Sequence, residues 1–414
     1  MFRHMVPLDE RSNGRSFDCV VIGAGVVGAG VAQSLARRGV RVAVIDRAPA
    51  IGGGCSYANA AIVAPGHVTP LATPALLREA PVQMLRRPPA VRLMPDPTLV
   101  PWMSRLIVSA APHRASIARA RMQDLAIRST ELHCALADLG LNPTFRKTGA
   151  IDVYLRSHQK EKKKLLSYAE LQGFEPTLAP VTGGTHEAEE WTLESRSFVR
   201  AMLDDAAGHG AEIVFGTPVQ ELLSHSGRVV GVRTPSGTIR SEKVVLAAGL
   251  HSAALAAQVG IRLPLRGGRG YVVDLAARSG FDPTIPVRIK EHRIVVTPLE
   301  DRVRVCGSIE FGNEHRPVAH KRGAALVDVA STVLPTLRDR RVIDQWAGER
   351  PCSPDGLPLV GVAKGVENLA VATGHGMWGM ILAPVTAELI TEYVIGPGPT
   401  RNESEWLRPD RFTR

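Results

Sequence analysis

The stretch from Phe17 to Arg47, FDCVVIGAGVVGAGVAQSLARRGVRVAVIDR, constrains this chain more than any other. Cys19 to Ile22 is a short apolar run rich in β-branched residues, the pattern of a strand buried on both faces. Gly23-Ala24-Gly25-Val26-Val27-Gly28 comes next, and the residues after it read as a helix through Arg38, stopped by Gly39. Val40 to Ile45 reads as a second strand, closed by Asp46. Gly23 permits a tight turn, Gly25 lets backbone approach a pyrophosphate, and Gly28 lets helix and strand pack closely. The helix N-terminus offers free N–H groups and partial positive charge to phosphates. Asp46 stands where an acid accepts hydrogen bonds from a ribose diol. Glycines alone would be weak evidence, but strand, glycines, helix, strand and acid in this order predict a dinucleotide-binding βαβ unit.

The residues beyond Asp46 select the kind of dinucleotide. Gly52 to Ala60 is glycine-rich with small polar side chains, suited to close approach of backbone to a flat ligand. A nicotinamide enzyme would continue strand–helix alternation, whereas here a proline-dotted region with helical patches runs from about Pro70 to Gly140. The nucleotide fold resumes with a helix over Ser197–His209, a strand over Ala211–Phe215 and its exit at Thr217-Pro218-Val219. A hairpin around Pro235-Ser236-Gly237 then leads to the strand Lys243–Ala247, ending at Ala248-Gly249. A last strand is expected at Asn368–Thr373. This discontinuity favours a flavoprotein.

Gly374-His375-Gly376-Met377-Trp378-Gly379 repeats the glycine pattern. Only a helix from Met380 to Val394 and a short polar tail come after it, so no second βαβ unit can form. It reads instead as a helix N-terminus facing a flavin ring, stabilising negative charge that builds near N1 and O2 on reduction. With one nucleotide unit, the electrons come from the substrate.

Net charge is +10, but aromatic residues are 5% and the arginines are scattered, which gives nucleic acid few stacking platforms. Lys160 to Lys164, in a stretch that reads as helical, is taken as a solvated face. The five cysteines, at 19, 55, 134, 306 and 352, form no CxxC pair, no zinc spacing and no disulfide scaffold, so no metal is expected and a reducing compartment fits. No window reaches the roughly 18–20 uninterrupted apolar residues of a spanning helix. Leu76 to Met94, with Arg78, Arg86, Arg87 and Arg92, either lies on an anionic membrane surface or is a plain cap helix or loop. The expected location is cytoplasmic, with peripheral contact at the inner membrane face under the first alternative.

Together these blocks resemble the D-amino-acid oxidase superfamily of FAD-dependent amine oxidoreductases, over about Phe17 to Gly396. Ser56-Tyr57-Ala58-Asn59-Ala60 is similar to the Ser-x-x-Asn-Ala stretch of bacterial D-amino-acid dehydrogenases. Ala247-Ala248-Gly249 with Ser252 and Arg269-Gly270-Tyr271 resemble two further blocks. The most specific is Trp346-Ala347-Gly348-Glu349-Arg350-Pro351, continuing Ser353-Pro354-Asp355-Gly356 and leading to Gly374-His375-Gly376. The implied fold is α/β (α+β overall), a discontinuous FAD-binding Rossmann-like domain with a substrate domain on an antiparallel sheet. The boundaries drawn are 17–75, 195–265 and 345–396 for the first and 76–194 and 266–344 for the second, between a flexible arm at 1–16 and a tail at 397–414.

FAD is the cofactor this implies. Its expected contacts are Gly23, Gly25, Val26, Val27, Gly28, Asp46, Arg47, Ser56, Asn59 and Ala60, then Val219, Ala248, Gly249, Gly374, Gly376, Met377 and Gly379. The implied reaction moves hydride from an amine's α-carbon to flavin N5, and water hydrolyses the imine to keto acid and ammonia. Arg350 matches the family's carboxylate-binding arginine, the alternative being a salt bridge with Asp355. His375 either polarises the ring or caps the helix, and Tyr271 and Arg293 either touch substrate or line the sheet.

Departures fall at Met377, where related glycine and sarcosine oxidising enzymes place an arginine, at Arg293 in place of a tyrosine, at Cys55 in place of threonine and at Ala61 in place of glycine. Cys55 and Cys352 are read as inert thiols rather than flavin tethers. The reading is a D-amino-acid dehydrogenase passing electrons to a quinone or carrier protein. The alternative is a D-proline or hydroxyproline-type secondary amine dehydrogenase within an oligomer.

Overall fold

The computed structural model describes residues 16–86, 88–156, 165–312, 316–396 and 403–412. Arg87, the 160–164 lysine run and all of the N-terminal arm before Ser16 lie outside them.

Strand β1 (Ser16–Ile22), helix α1 (Val26–Ala36) and strand β2 (Val42–Ile45) open the chain, with β1 and β2 parallel. The chain then leaves through α2 (Pro74–Leu85), α3 (Val100–Ser109) and the long α4 (Pro112–Asp138). It returns by helix Ser195–Gly208 to strand Glu212–Val214 beside β2, then by the hairpin of Glu221–His225 and Arg228–Thr234 into β3 (Gly237–Leu246) on the far side of β1. Next come β4 (Arg266–Ala276), strands Val287–Ile289 and Ile294–Pro298, β5 (Arg302–Phe311), α5 (His320–Val333) and β6 (Val342–Cys352). Strand β7 (Leu369–Thr373) rejoins the first sheet against β3, and α6 (Gly379–Ile395) comes after it.

Two sheets result. The first runs 221–225, 228–234, β3, β1, β2, 212–214, with β7 also on β3. The second runs β6, β4, β5, 294–298, 287–289, 150–154, 183–187, and is antiparallel apart from the 287–289/150–154 pair and a short strand, 91–93, on β5. The architecture is therefore α/β, with the two sheets built from interleaved segments.

Three boundaries drawn from sequence shift. Residues 345–352 lie within β6, which pairs along its length with β4, so they belong to the antiparallel sheet. Helix α4 buries Ala118, Met122, Leu125 and Ala126, a helical stripe, in the same core as α1 and α6. Ser129 Oγ donates to the Ile381 carbonyl at 2.6 Å, fastening α4 to α6. The C-terminal segment 403–412 is docked: Leu407 is buried, its carbonyl accepts from Val360 N–H at 2.8 Å, and Arg411 grips Asp355 through two bonds of 2.8 Å.

Of the arginines in the 76–94 segment, Arg78 and Arg92 are exposed and Arg86 is half-buried. Arg86 donates to the Glu291 carbonyl, and Arg92 lies 3.9 Å from the buried Glu310 carboxylate. Val82 and Leu85 of α2 are exposed beside them. The apolar stretch around α6 is long enough and apolar enough to cross a membrane by composition, but it lies between α1 and α4 as a core helix.

Candidate functional site

The carboxyl ends of β1, β3 and β7 converge, the place where open parallel sheets bind ligands. Gly23 has φ +106°, and a Cβ there would sit 2.5 Å from the Ala247 carbonyl oxygen. A Cβ on Gly28 would collide with the Gly23 carbonyl, so this glycine sets the approach of α1 to the turn. Asp46 accepts from Ala24 N–H and Ala48 N–H, each at 2.7 Å, which fixes its carboxylate beside the turn. The N-terminus of α1 has no acid in its first turn and no side-chain cap from Gly25. Ser56 Oγ accepts from Val26 N–H at 3.0 Å, so the 56–60 loop closes over the positive end of the helix. Val27 packs, half-buried, on the core. The tight turn and the positive end of α1 make a cradle of the form that a pyrophosphate site requires.

Around the cradle, Arg47 is exposed with Nη1 3.5 Å from His251 Nδ1, and Val219 packs into the second apolar core. Ala248 abuts Gly23, while Gly249 (φ +58°) accepts from Thr373 Oγ1 at 2.9 Å, tying β7 to the end of β3. In the 56–60 loop, Asn59 spends its side chain on the turn, accepting from Ala61 N–H at 2.9 Å. Ala61 has φ +54°, the left-handed backbone that suits the glycine expected there. Thr297 Oγ1 donates to the Ala60 carbonyl at 2.7 Å and Tyr57 OH to Asp344 at 2.7 Å. Arg304, fully buried and gripped by Asp274, donates to the Asn59 carbonyl at 3.3 Å. The loop thus joins both sheets.

Opposite it, Gly374 (φ +77°) and Gly376 (φ +55°) turn the chain into α6, which starts at Gly379 with no acid in its first turn. A cavity here is lined by Leu71, Ile309, Cys352, His375, Gly376 and Met377, and Met377 is largely exposed. His375 is buried and shares a 2.9 Å hydrogen bond with Thr386 Oγ1 inside α6. Its side chain caps no helix, which removes that alternative. Burial pushes its pKa down to about 4, so it is neutral at physiological pH.

The second sheet supplies the remaining wall. Strand residues alternate faces. Gly268, Gly270 and Val272 of β4, paired with Arg350, Gly348 and Trp346 of β6, form one face, and Val272 meets Ala58 of the cofactor loop. Arg269, Tyr271 and Val273 form the other. Tyr271 is fully buried there, with its OH 3.2 Å from Glu310 Oε2 and its ring between the Arg269 and Arg322 guanidiniums. Burial, then the Glu310 charge, raises its pKa. It lines the far face of the sheet rather than the cofactor side. Arg293 is not in the strand at all: it has φ +52° at the end of a turn, and Nη2 bonds Glu79 at 2.9 Å on the surface. Neither residue joins the site.

Arg350 does. Its guanidinium lies over Gly270, where any Cβ would collide with it, and Nη1 donates to the Ser308 carbonyl at 3.3 Å. Ser308 has φ +59° at a β-bulge opposite Gly270, which turns that carbonyl. Arg350 makes no ion pair among the described residues, and Asp355 is occupied by Arg411. The Arg350–Asp355 bridge therefore does not form. Arg350 lowers the pKa of the Cys55 and Cys306 thiols, but burial outweighs it and both are raised, Cys306 to about 11. They stay protonated at neutral pH, as inert thiols do. His67, Asp152 and Glu187 converge as metal ligands might, but Arg288 bonds to Asp152 and Glu190, and Lys290 bonds to Asp152 at 2.7 Å. The cluster is an ion-pair network filled by its own cations.

Gly270, Gly348 and Trp346 stood in the sequence without an assigned role. The signal was Gly268 and Gly270 at alternate positions of β4 with Gly348 facing them in β6, which leaves room on that face for the side chains of neighbouring residues.

The family model described as FAD dependent oxidoreductase matches residues 18–393. The D-amino acid dehydrogenase of Paramagnetospirillum magneticum is 32% identical over 95% of this chain and 98% of its own. Among solved structures, glycine oxidase from Geobacillus kaustophilus superposes with TM-score 0.75 at 23% identity, covering 96% of this chain and 99% of that one. L-proline dehydrogenase from P. horikoshii gives TM-score 0.72 at 19% identity, covering 97% and 98%.

Proposed function

Because the chain belongs to the DAO family of FAD-dependent oxidoreductases, we propose that it oxidises D-amino acids to 2-keto acids and ammonia, with a quinone or carrier protein as final electron acceptor. When bound, FAD would supply the two-electron acceptor for oxidation of the substrate's C–N bond, and water would hydrolyse the resulting imine. The α1 N-terminus, Asp46, Ser56 and the Gly374–Gly379 turn would hold the cofactor.

The observation that carries this reading is Arg350, a half-buried guanidinium free of any carboxylate among the described residues, on the face that meets the cofactor loop. One of its N–H groups goes to Ser308, and the others remain for a two-point, charge-assisted grip on a substrate carboxylate. Fixing the carboxylate orients the α-carbon toward the ring. The acids on this face are already engaged, Asp344 by Tyr57 and Asp274 by Arg304. An amine that binds neutral needs no protein base.

The test is anaerobic bleaching of the flavin by D- and L-amino acids, proline isomers and 2-hydroxyacids, followed by reoxidation with oxygen or a soluble quinone. D-Amino acids bleach it, and quinone reoxidises it faster than oxygen. Arg350→Ala keeps its FAD and loses roughly 100-fold in kcat/KM, the effect of stranding a buried charge partner. Bleaching by proline-type amines alone would move the assignment to secondary amines. Unimpaired turnover in Arg350→Ala would refute the carboxylate anchor.

A further inference from the structure

We propose that Trp346 is the plate on which the substrate side chain lies, and that the site therefore prefers D-amino acids with apolar, above all aromatic, side chains. This rests on Arg350 as carboxylate anchor.

The geometry comes from two glycines. Gly270 of β4 and Gly348 of β6 are register partners. Such partners have Cα atoms about 5 Å apart. The space a Cβ would take on Gly270 is filled by the Arg350 guanidinium, and the space on Gly348 by the six-membered ring of the Trp346 indole. Guanidinium and indole thus lie side by side on adjacent glycines, on the face that meets the cofactor loop. In an amino acid the side chain leaves the carbon next to the carboxylate. A substrate whose carboxylate is held by Arg350 has its side chain within reach of a surface one strand away.

That surface is rigid and apolar. Tyr57 packs on Trp346 at 5.5 Å between ring centroids, tilted by 48°. Tyr57 is itself fixed by its 2.7 Å bond to Asp344 and by the Arg196 guanidinium 4.7 Å from its ring centroid. Ala58, Val272 and Cys306 are buried beside the indole, with Ala60 and Val295 against them. Of the nearby carboxylates, Asp274 is paired with Arg304 and Asp344 already accepts from Tyr57, so a charged side chain recovers little of the water it loses. An aromatic side chain gains a ring contact in the same place.

The experiment uses FAD-loaded enzyme and rapid anaerobic flavin reduction by D-phenylalanine, D-leucine, D-alanine, D-lysine and D-aspartate. The wild type is expected to favour D-phenylalanine and D-leucine over D-lysine and D-aspartate. Trp346→Ala lowers kcat/KM for D-phenylalanine about tenfold or more and for D-alanine less than about threefold, while Trp346→Phe keeps the preference. Should Trp346→Ala lose its flavin, Trp346→Leu carries the same comparison. Equal losses for all substrates in the Trp346 variants, or a wild type that favours charged side chains, would overturn the assignment. Failure of the anchor is seen separately: Arg350→Ala would then reduce as fast as wild type with every amino acid, whatever the Trp346 variants do.

Discussion

The cofactor cradle and the substrate face are built in opposite ways. The cradle is largely local: one turn, one helix start and one acid within residues 23–48, bonded to one another through backbone N–H groups, with Ser56 closing over the helix start. The substrate face is assembled from β4, β5 and β6, whose contacting residues stand tens of positions apart, as in the register of Gly270 with Gly348. A local device fails all at once when its backbone is blocked. A composite wall fails residue by residue, and only on the face concerned.

The largest effect expected is therefore in the cradle. In Gly28→Ala the new methyl would collide with the Gly23 carbonyl, and neither neighbour is a flexible side chain that can move aside. The variant should purify without FAD or not fold at all, read by flavin absorbance and thermal unfolding. An FAD-replete Gly28→Ala with unchanged Tm would show that the cradle is less tightly built than its contacts indicate.

An intermediate effect links the two regions through pH. His133, buried in α4 against the Met380 carbonyl, and His375, buried beside the cavity, both have pKa values lowered by burial to about 4 from the ordinary 6.5. The folded protein holds both neutral, so between those values the unfolded chain binds more protons. Stability is full above about pH 6.5 and falls as pH drops toward 4, by on the order of a few kcal/mol for the pair. Urea midpoints at pH 7.5 and 5.0 measure this. His375→Asn should reduce the acid sensitivity, and an unchanged slope in that variant would remove His375 from the account.

The same contrast explains what could be read from sequence. The cradle's backbone was legible because its form lies in spacing along the chain: Gly23 and Gly28 fall where the tight turn and the close packing of α1 require glycine, and Asp46 where it meets the N–H groups of the turn. The substrate face depends on which way each strand residue points, and a shift of one position reverses that. Tyr271 sits next to Gly270, yet the two occupy opposite faces, and motif resemblance cannot tell them apart. Asp355 was weighed against Arg350 because they are near in sequence, while its partner Arg411 comes from the docked C-terminal segment, 56 positions away. Helix α4 carries a clear apolar stripe, but nothing in that stripe says it will meet α6 rather than the second sheet.

The smallest effect belongs to the residue the structure moves furthest from the chemistry. Arg293 stands at φ +52° after a turn, and its guanidinium meets Glu79 across a surface where both side chains are substantially exposed. Exposed pairs of this kind contribute roughly 0.2–1 kcal/mol, because solvent screens them and two long side chains must be ordered. Arg293→Ala should therefore change kcat/KM by less than about twofold, a span of roughly 0.4 kcal/mol on the usual conversion. Substituting glycine tests the backbone instead: Arg293→Gly keeps the left-handed turn without strain and should lose no more than the alanine variant. A tenfold loss of turnover in either, with FAD retained, would mean that the turn after Ile289 reaches the substrate, and that the composite wall extends beyond the glycine floor of β4 and β6.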